Sequence, residues 1–188
     1  MSHNVPAGSV KTKKMVQVIV TGASGYIAIH VCKLAAQAGH KVRGTVRSKD
    51  NAIKCQPVLD AVPGIELVEA DLLDDKGWAE AVRGCEYVFH LASPFPIKTP
   101  SDENDLIRPA VDGTLRVLKA AAAEPGVKRV ILTSSVAAVS AGHAKTATLP
   151  ASESAQPGKV WSEEDWSRAE GCEAYAKSKT LAEQERIL

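Results

Sequence analysis

Several common devices are scarce in this chain. Its four cysteines, Cys32, Cys55, Cys85 and Cys172, lie far apart and form no Cys-x-x-Cys pair. That spacing argues against a disulfide framework or a zinc site, and reads as packed, reduced thiols. A cytoplasmic setting is the matching expectation. Aromatic residues make up only 4% of the chain, so no aromatic-lined pocket is evident. Charge of one sign is also lacking, because the formal net charge is +1. Neither nucleic acid nor a membrane surface is an expected partner. No apolar run is long enough to span a bilayer. Residues 1–14 hold Pro6, Gly8 and three lysines with little apolar material, and read as a flexible tail without the features of a signal peptide.

What is present is a regular alternation of strand and helix over residues 15–188. Met15 to Val20 is a short run rich in β-branched residues, closed by Thr21-Gly22. From Gly25 to Gln37, apolar residues recur at helical steps, and Gly39 follows as a stop. Further strands are expected at Lys41–Val46, Ile65–Ala70, Tyr87–Ala92 and Val130–Leu132. Helices are expected at 52–61, around Trp78–Val82, at Asp105–Ala123 and at Cys172–Leu188. Residues 141–168 read as a long surface loop. Apolar strands separated by helices imply an α/β, Rossmann-type, doubly wound parallel sheet of about five strands.

The turn between the first strand and helix carries the strongest chemical signal. It reads Thr21-Gly22-Ala23-Ser24-Gly25-Tyr26-Ile27-Ala28. Gly22 permits a tight turn, Gly25 permits close backbone approach to a pyrophosphate, and Ala28 keeps the helix near the strand. The helix N-terminus offers free N–H groups and partial positive charge to phosphate. The strand–turn–helix context makes this more than a chance glycine pattern. At the end of the second strand, where NAD sites usually place a carboxylate, stands Arg47. Its guanidinium suits a 2′-phosphate, and Lys54 adds a point charge, so the expected cofactor is NADP(H). Asp71 and Leu72 follow the third strand. They suit either the adenine edge or a turn-capping role for Asp71.

Tyr175 and Lys179 are four residues apart in the last helix and emerge on one face. A neighbouring ammonium favours the phenolate, which equips a tyrosine for proton transfer at a carbonyl or alcohol oxygen. Ser135, just beyond the fifth strand, is placed to hold the same oxygen. His90 and the three tryptophans read as structural residues.

Together these motifs resemble the extended short-chain dehydrogenase/reductase superfamily. The chain is most similar to the branch of dihydroflavonol reductases, cinnamoyl-CoA reductases and fungal ketone/aldehyde reductases. The resemblance is carried by TGASGYIA from Thr21, VRGTVRS from Val42, ADL from Ala70, GCEYVFHLASP from Gly84, ENDLIRPAVDGT from Glu103, VKRVILTSS from Val127 and YAKSKTLAE from Tyr175. It implies an NADPH-dependent reduction of a small carbonyl compound. Tyr175 is then the general acid, Lys179 binds the nicotinamide ribose, and Ser135 orients the carbonyl. The same resemblance places Leu91, Ala92 and Ser93 beside the cofactor, and Thr133 and Ser134 at its nicotinamide end. Members of that family run to about 300 residues or more, as a nucleotide domain plus a substrate lobe requires. A sixth strand and the C-terminal substrate lobe are therefore expected to be missing from these residues. A fifth strand left at the sheet edge invites self-association. Two other readings share the motifs. One is a nucleotide-sugar epimerase or dehydratase, or a hydroxysteroid dehydrogenase. The other is a non-catalytic protein that binds NADP(H) or a partner without turnover.

Overall fold

Val18, Ile19 and Val20 are all essentially inaccessible to solvent, so the first strand presents apolar side chains to both sides at once. Such a strand must lie inside a sheet covered on both faces. In the computed structural model, which describes residues 14–95, 100–143 and 160–185, it occupies the centre of a five-stranded sheet. The elements in chain order are β1 (Gln17–Thr21), α1 (Tyr26–Gln37), β2 (Lys41–Val46), α2 (Ala52–Ala61), β3 (Glu66–Glu69), α3 (Trp78–Val82), β4 (Tyr87–His90), α4 (Asn104–Ala123), β5 (Arg129–Leu132) and α5 (Ala174–Gln184). Short 3₁₀ turns occupy Val136–Ala138 and Ala169–Gly171.

The strand order is β3-β2-β1-β4-β5 and every pairing is parallel. On one face Val18 and Val20 pack with Ala28, Cys32 and Val58 from α1 and α2. On the other, Ile19 and Val88 pack with Ala81 and Val82 of α3 and with Val117 and Ala121 of α4. The buried side of α4 runs Leu106, Ile107, Ala110, Gly113, Thr114, Val117 and Ala121, a helical stripe of three- and four-residue steps. Beside it lies α5, fastened by Lys177, whose ammonium donates to Glu103 at 2.7 Å. No helix among the described residues is long and apolar enough to cross a membrane.

The structure departs from the expected boundaries at informative places. β4 ends at His90 rather than Ala92, because the Leu91 and Ala92 amides donate to the Thr21 hydroxyl instead of continuing the ladder. Gly25 caps α1 rather than starting it. α5 begins at Ala174, after the 3₁₀ turn that takes up Ala169–Gly171. The strands at the two edges are not continuous apolar runs. Glu66 and Glu69 of β3 are exposed, as are Arg129 and Ile131 of β5. The expected loop over 141–168 lies partly outside the described residues, but its later portion is not merely superficial. Ser167 is buried, donating to Ala137 O at 2.8 Å and accepting from Ala141 N at 2.7 Å. The expected tail also lies outside the described residues, except for Lys14, whose ammonium is paired with Glu86 at 3.2 Å. Cys32, Cys55 and Cys85 are buried free thiols, and burial pushes Cys32 up to about 12 and Cys85 up to about 11.

Candidate functional site

β1 has β2 on one side and β4 on the other, so successive connections leave it in opposite directions. At such a switch point the carboxyl ends of the strands open into a crevice. The β1–α1 turn closes the bottom of that crevice. Gly22 adopts φ +65, and a Cβ placed on it would come within 3.2 Å of Ala92. Glycine therefore serves both the turn and the close approach to the β4 end. The Gly22 amide donates to the buried Thr45 hydroxyl at 2.9 Å, and the Ala23 amide to Thr45 O at 2.9 Å. β2 carries Gly44 at the point where Ala23 crosses, since a Cβ there would lie 2.5 Å from that of Ala23. Gly25 sits in extended geometry at the head of α1 with no side-chain cap. The first-turn amides of α1 are thus left without a side-chain acceptor from that cap, which suits them to an anion. Gly25, Tyr26 and Ile27 are exposed at this end and Ser24 is half-buried, while Ala28 is buried against the core.

The crevice floor is fixed by one buried hydroxyl. Thr21 Oγ1 accepts from Leu91 N at 3.1 Å and from Ala92 N at 2.9 Å, and it lies 2.8 Å from His90 Nδ1. With both lone pairs engaged, the hydroxyl hydrogen must serve the third bond. Nδ1 of His90 is therefore the acceptor, and the imidazole carries its proton on Nε2. That Nε2 has no hydrogen-bond partner among the described residues. Burial, reinforced by the positive charge of Lys179, pulls His90 from 6.5 down to about 4. His90 is the structural residue expected, and its part in ordering Leu91 and Ala92 has no counterpart in sequence spacing.

Around the crevice the structure distributes the remaining predicted residues. Arg47 and Lys54 are exposed beyond β2 and on the first turn of α2. Asp71 accepts from Leu73 N at 3.0 Å, so it does cap the turn after β3. Leu72 packs against α4, where a Cβ on Gly113 would lie 2.8 Å from it. Ser93 is half-buried just after Ala92. The Thr133 amide donates to His90 O at 3.0 Å, and Lys179 Nζ reaches Thr133 O at 3.4 Å, which joins the ends of β4 and β5 to α5. Burial holds the Lys179 ammonium below the usual lysine range, with Glu183 one turn on opposing that effect. Ser134 donates to Glu183. Ser135 caps the 3₁₀ turn by accepting from Ala137 N at 3.2 Å. Tyr175 is half-buried, with Phe95 packed edge-to-face on it at 5.5 Å. A cavity of about 480 Å³ adjoins Ser134 and Ser135, lined also by Glu163, Trp166 and Glu183.

Sequence reasoning did not single out Thr45, Gly44, Phe95 or Glu183. Glu183 left a readable trace, at helical spacing from Lys179, and so did Gly44, a glycine inside a strand. Thr45 and Phe95 act through neighbours distant in sequence.

Sheet order, crevice and glycine turn define a doubly wound α/β domain of the Rossmann type. The chain belongs to the NAD dependent epimerase/dehydratase family, whose pattern matches residues 18–185. Tetraketide alpha-pyrone reductase 1 of Arabidopsis thaliana is 38% identical over 175 residues, which cover 89% of this chain and 51% of the relative. Among solved structures, vestitone reductase from alfalfa aligns with a TM-score of 0.66 at 31% identity, over 89% of this chain and 50% of that one. The yeast methylglyoxal/isovaleraldehyde reductase complexed with NADPH aligns with a TM-score of 0.71 at 28% identity, over 90% of this chain and 51% of that one. The chain spans about half the length of the relatives it matches.

Proposed function

We propose that this chain is the cofactor-binding portion of an NADPH-dependent carbonyl reductase that converts a ketone or aldehyde to an alcohol. One observation carries the reading. The glycine turn and the Thr21–Ala92 contact build a dinucleotide crevice, and α5 brings Tyr175 and Lys179 to the same end of the sheet. The reductase names of the relatives, and the NADPH in the yeast structure, support the same choice.

The residues present fit such a cofactor. Gly22 leaves space that a side chain would fill against Ala92, and the head of α1 has no side-chain cap. Thr21 to Ile27 would border the pyrophosphate, with Ser24 offering a hydroxyl. Arg47 and Lys54 would meet the 2′-phosphate, and Asp71 and Leu72 would flank the adenine side. Leu91, Ala92, Ser93, Thr133 and Ser134 would line the path to the nicotinamide. When bound, the reduced nicotinamide supplies the hydride. Ser135 orients the carbonyl oxygen, Tyr175 donates the proton to it, and Lys179 holds the ribose. Partners would be a small-molecule carbonyl compound and, through the edge of β5 left unpaired among the described residues, a second copy of the chain.

Thermal unfolding of the purified chain with NADPH and with NADH tests the reading. A ligand specific for the native state adds about 2.7 kcal/mol at roughly a hundredfold excess over its Kd. A shift with NADPH that exceeds the shift with NADH is expected, and Arg47→Ala narrows the difference. Any turnover of a carbonyl compound is lost in Tyr175→Phe while the NADPH shift survives. Equal shifts, or none, overturn the cofactor assignment. Binding without turnover of any carbonyl favours the non-catalytic reading.

A further inference from the structure

Arg47 and Ser48 lie between two points held by the adjacent residues Glu69 and Ala70. Glu69 stands opposite Val46 in the β2–β3 register, and its neighbour Ala70 donates to Val46 O at 3.0 Å. The carboxylate of the same Glu69 accepts from the Lys49 amide at 2.7 Å. The backbone of β3 thus fixes the residue before Arg47, and the Glu69 side chain fixes the second residue after it. Glu69 is itself anchored, because Gly77, at φ +84, passes so close that a Cβ there would fall 2.2 Å from Glu69 O. The rest of the turn is tied locally. Ser48 Oγ accepts from Asp50 N at 3.2 Å, and Asn51 caps α2 by accepting from Lys54 N at 3.2 Å.

The Glu69 carboxylate is held in a charge-assisted bond to a backbone N–H. We infer that Glu69 is a positioning residue for recognition of the cofactor 2′-phosphate. It presets the backbone from which Arg47 projects, so that the guanidinium is not ordered at the expense of binding. The inference rests on the NADPH assignment above, and it deepens that assignment by naming what orients Arg47.

The test compares affinities of the full chain for NADPH and NADH in wild type, Glu69→Ala and Glu69→Gln. Wild type favours NADPH. Glu69→Ala lowers that preference about tenfold through weaker NADPH binding, with NADH affinity nearly unchanged. Glu69→Gln keeps an acceptor for the Lys49 amide and stays within about threefold of wild type. A general structural defect weakens both cofactors together and leaves the ratio intact. An unchanged or enlarged ratio in Glu69→Ala overturns the inference while leaving the cofactor assignment standing, and a wild type without NADPH preference overturns both. Should Glu69→Ala not fold, the amide resonance of Lys49 in the wild type decides. Its exchange with solvent is slow while the Glu69 carboxylate accepts from it, and an amide that exchanges as freely as an unbonded one removes Glu69 from the turn.

Discussion

The Thr21 hydroxyl, the His90 imidazole and the two amides that follow β4 share one buried cluster of hydrogen bonds. Its proton inventory makes His90 neutral, and burial keeps it neutral well below the usual range. A basic group whose folded-state pKa is depressed takes up protons on unfolding. Between pH 6.5 and about 4 the unfolded chain therefore binds the proton that the folded chain refuses. Stability is complete above pH 6.5, falls as pH drops through that window, and ceases to respond to His90 below about 4. Denaturant unfolding at pH 7 and pH 5 should differ by about 2 kcal/mol through this residue alone, and His90→Gln should remove that part of the difference. A pH dependence identical in wild type and variant would show that His90 is protonated, or accessible, in the native protein.

The first β–α turn depends on an element that follows it in sequence. Ala23 is held to Thr45 O, and the only residue that fits beneath it on β2 is Gly44, where a Cβ would come 2.5 Å from the Ala23 methyl. Gly44→Ala should cost about 1–3 kcal/mol by overpacking. Because the displaced group is the turn itself, NADPH binding should weaken more than the loss of stability explains. Urea unfolding and a cofactor titration of the folded variant measure the two effects separately. Normal values for both would mean that the turn does not rest on β2. This contact illustrates which features were legible in the sequence. Strand–helix alternation, the glycine turn and the Tyr175–Lys179 spacing are local patterns, and they led to β1 through α5 in the right order. β2 and α2 were located to the residue, at Lys41–Val46 and Ala52–Ala61. The end of β4 was misplaced because Thr21, distant in sequence, captures the Leu91 and Ala92 amides. Gly44 and Glu69 were passed over for the same reason. Each acts on a turn in another segment; glycine inside a strand does hint at a close approach, but the partner that makes it, Ala23, is not readable from β2 itself.

Across the whole molecule, the two faces of the sheet are covered unequally. α3, α4 and α5 cover one face, while α1 and α2 lie over β1, β2 and β3 on the other. Among the described residues no helix reaches across to β5 on that second side. There a groove of about 730 Å³ opens between α1 and β4, lined by Val18, Val31, Leu34, Tyr87 and Phe89 among others. Ile131 continues this surface on β5 and is 37% exposed. Among the described residues β5 is the last strand of the sheet, with one side of its backbone unpaired within it. An apolar face beside an open strand edge is the combination that draws a second strand into register. The chain should therefore associate with itself in a concentration-dependent way in sedimentation velocity experiments. Ile131→Lys, which sets a charge on the exposed face without touching the crevice, should return it to the monomer and leave NADPH binding unchanged. A wild type that sediments as a monomer at every attainable concentration would show that the edge is protected, and would leave the crevice, rather than this face, as the surface through which the domain meets its partners.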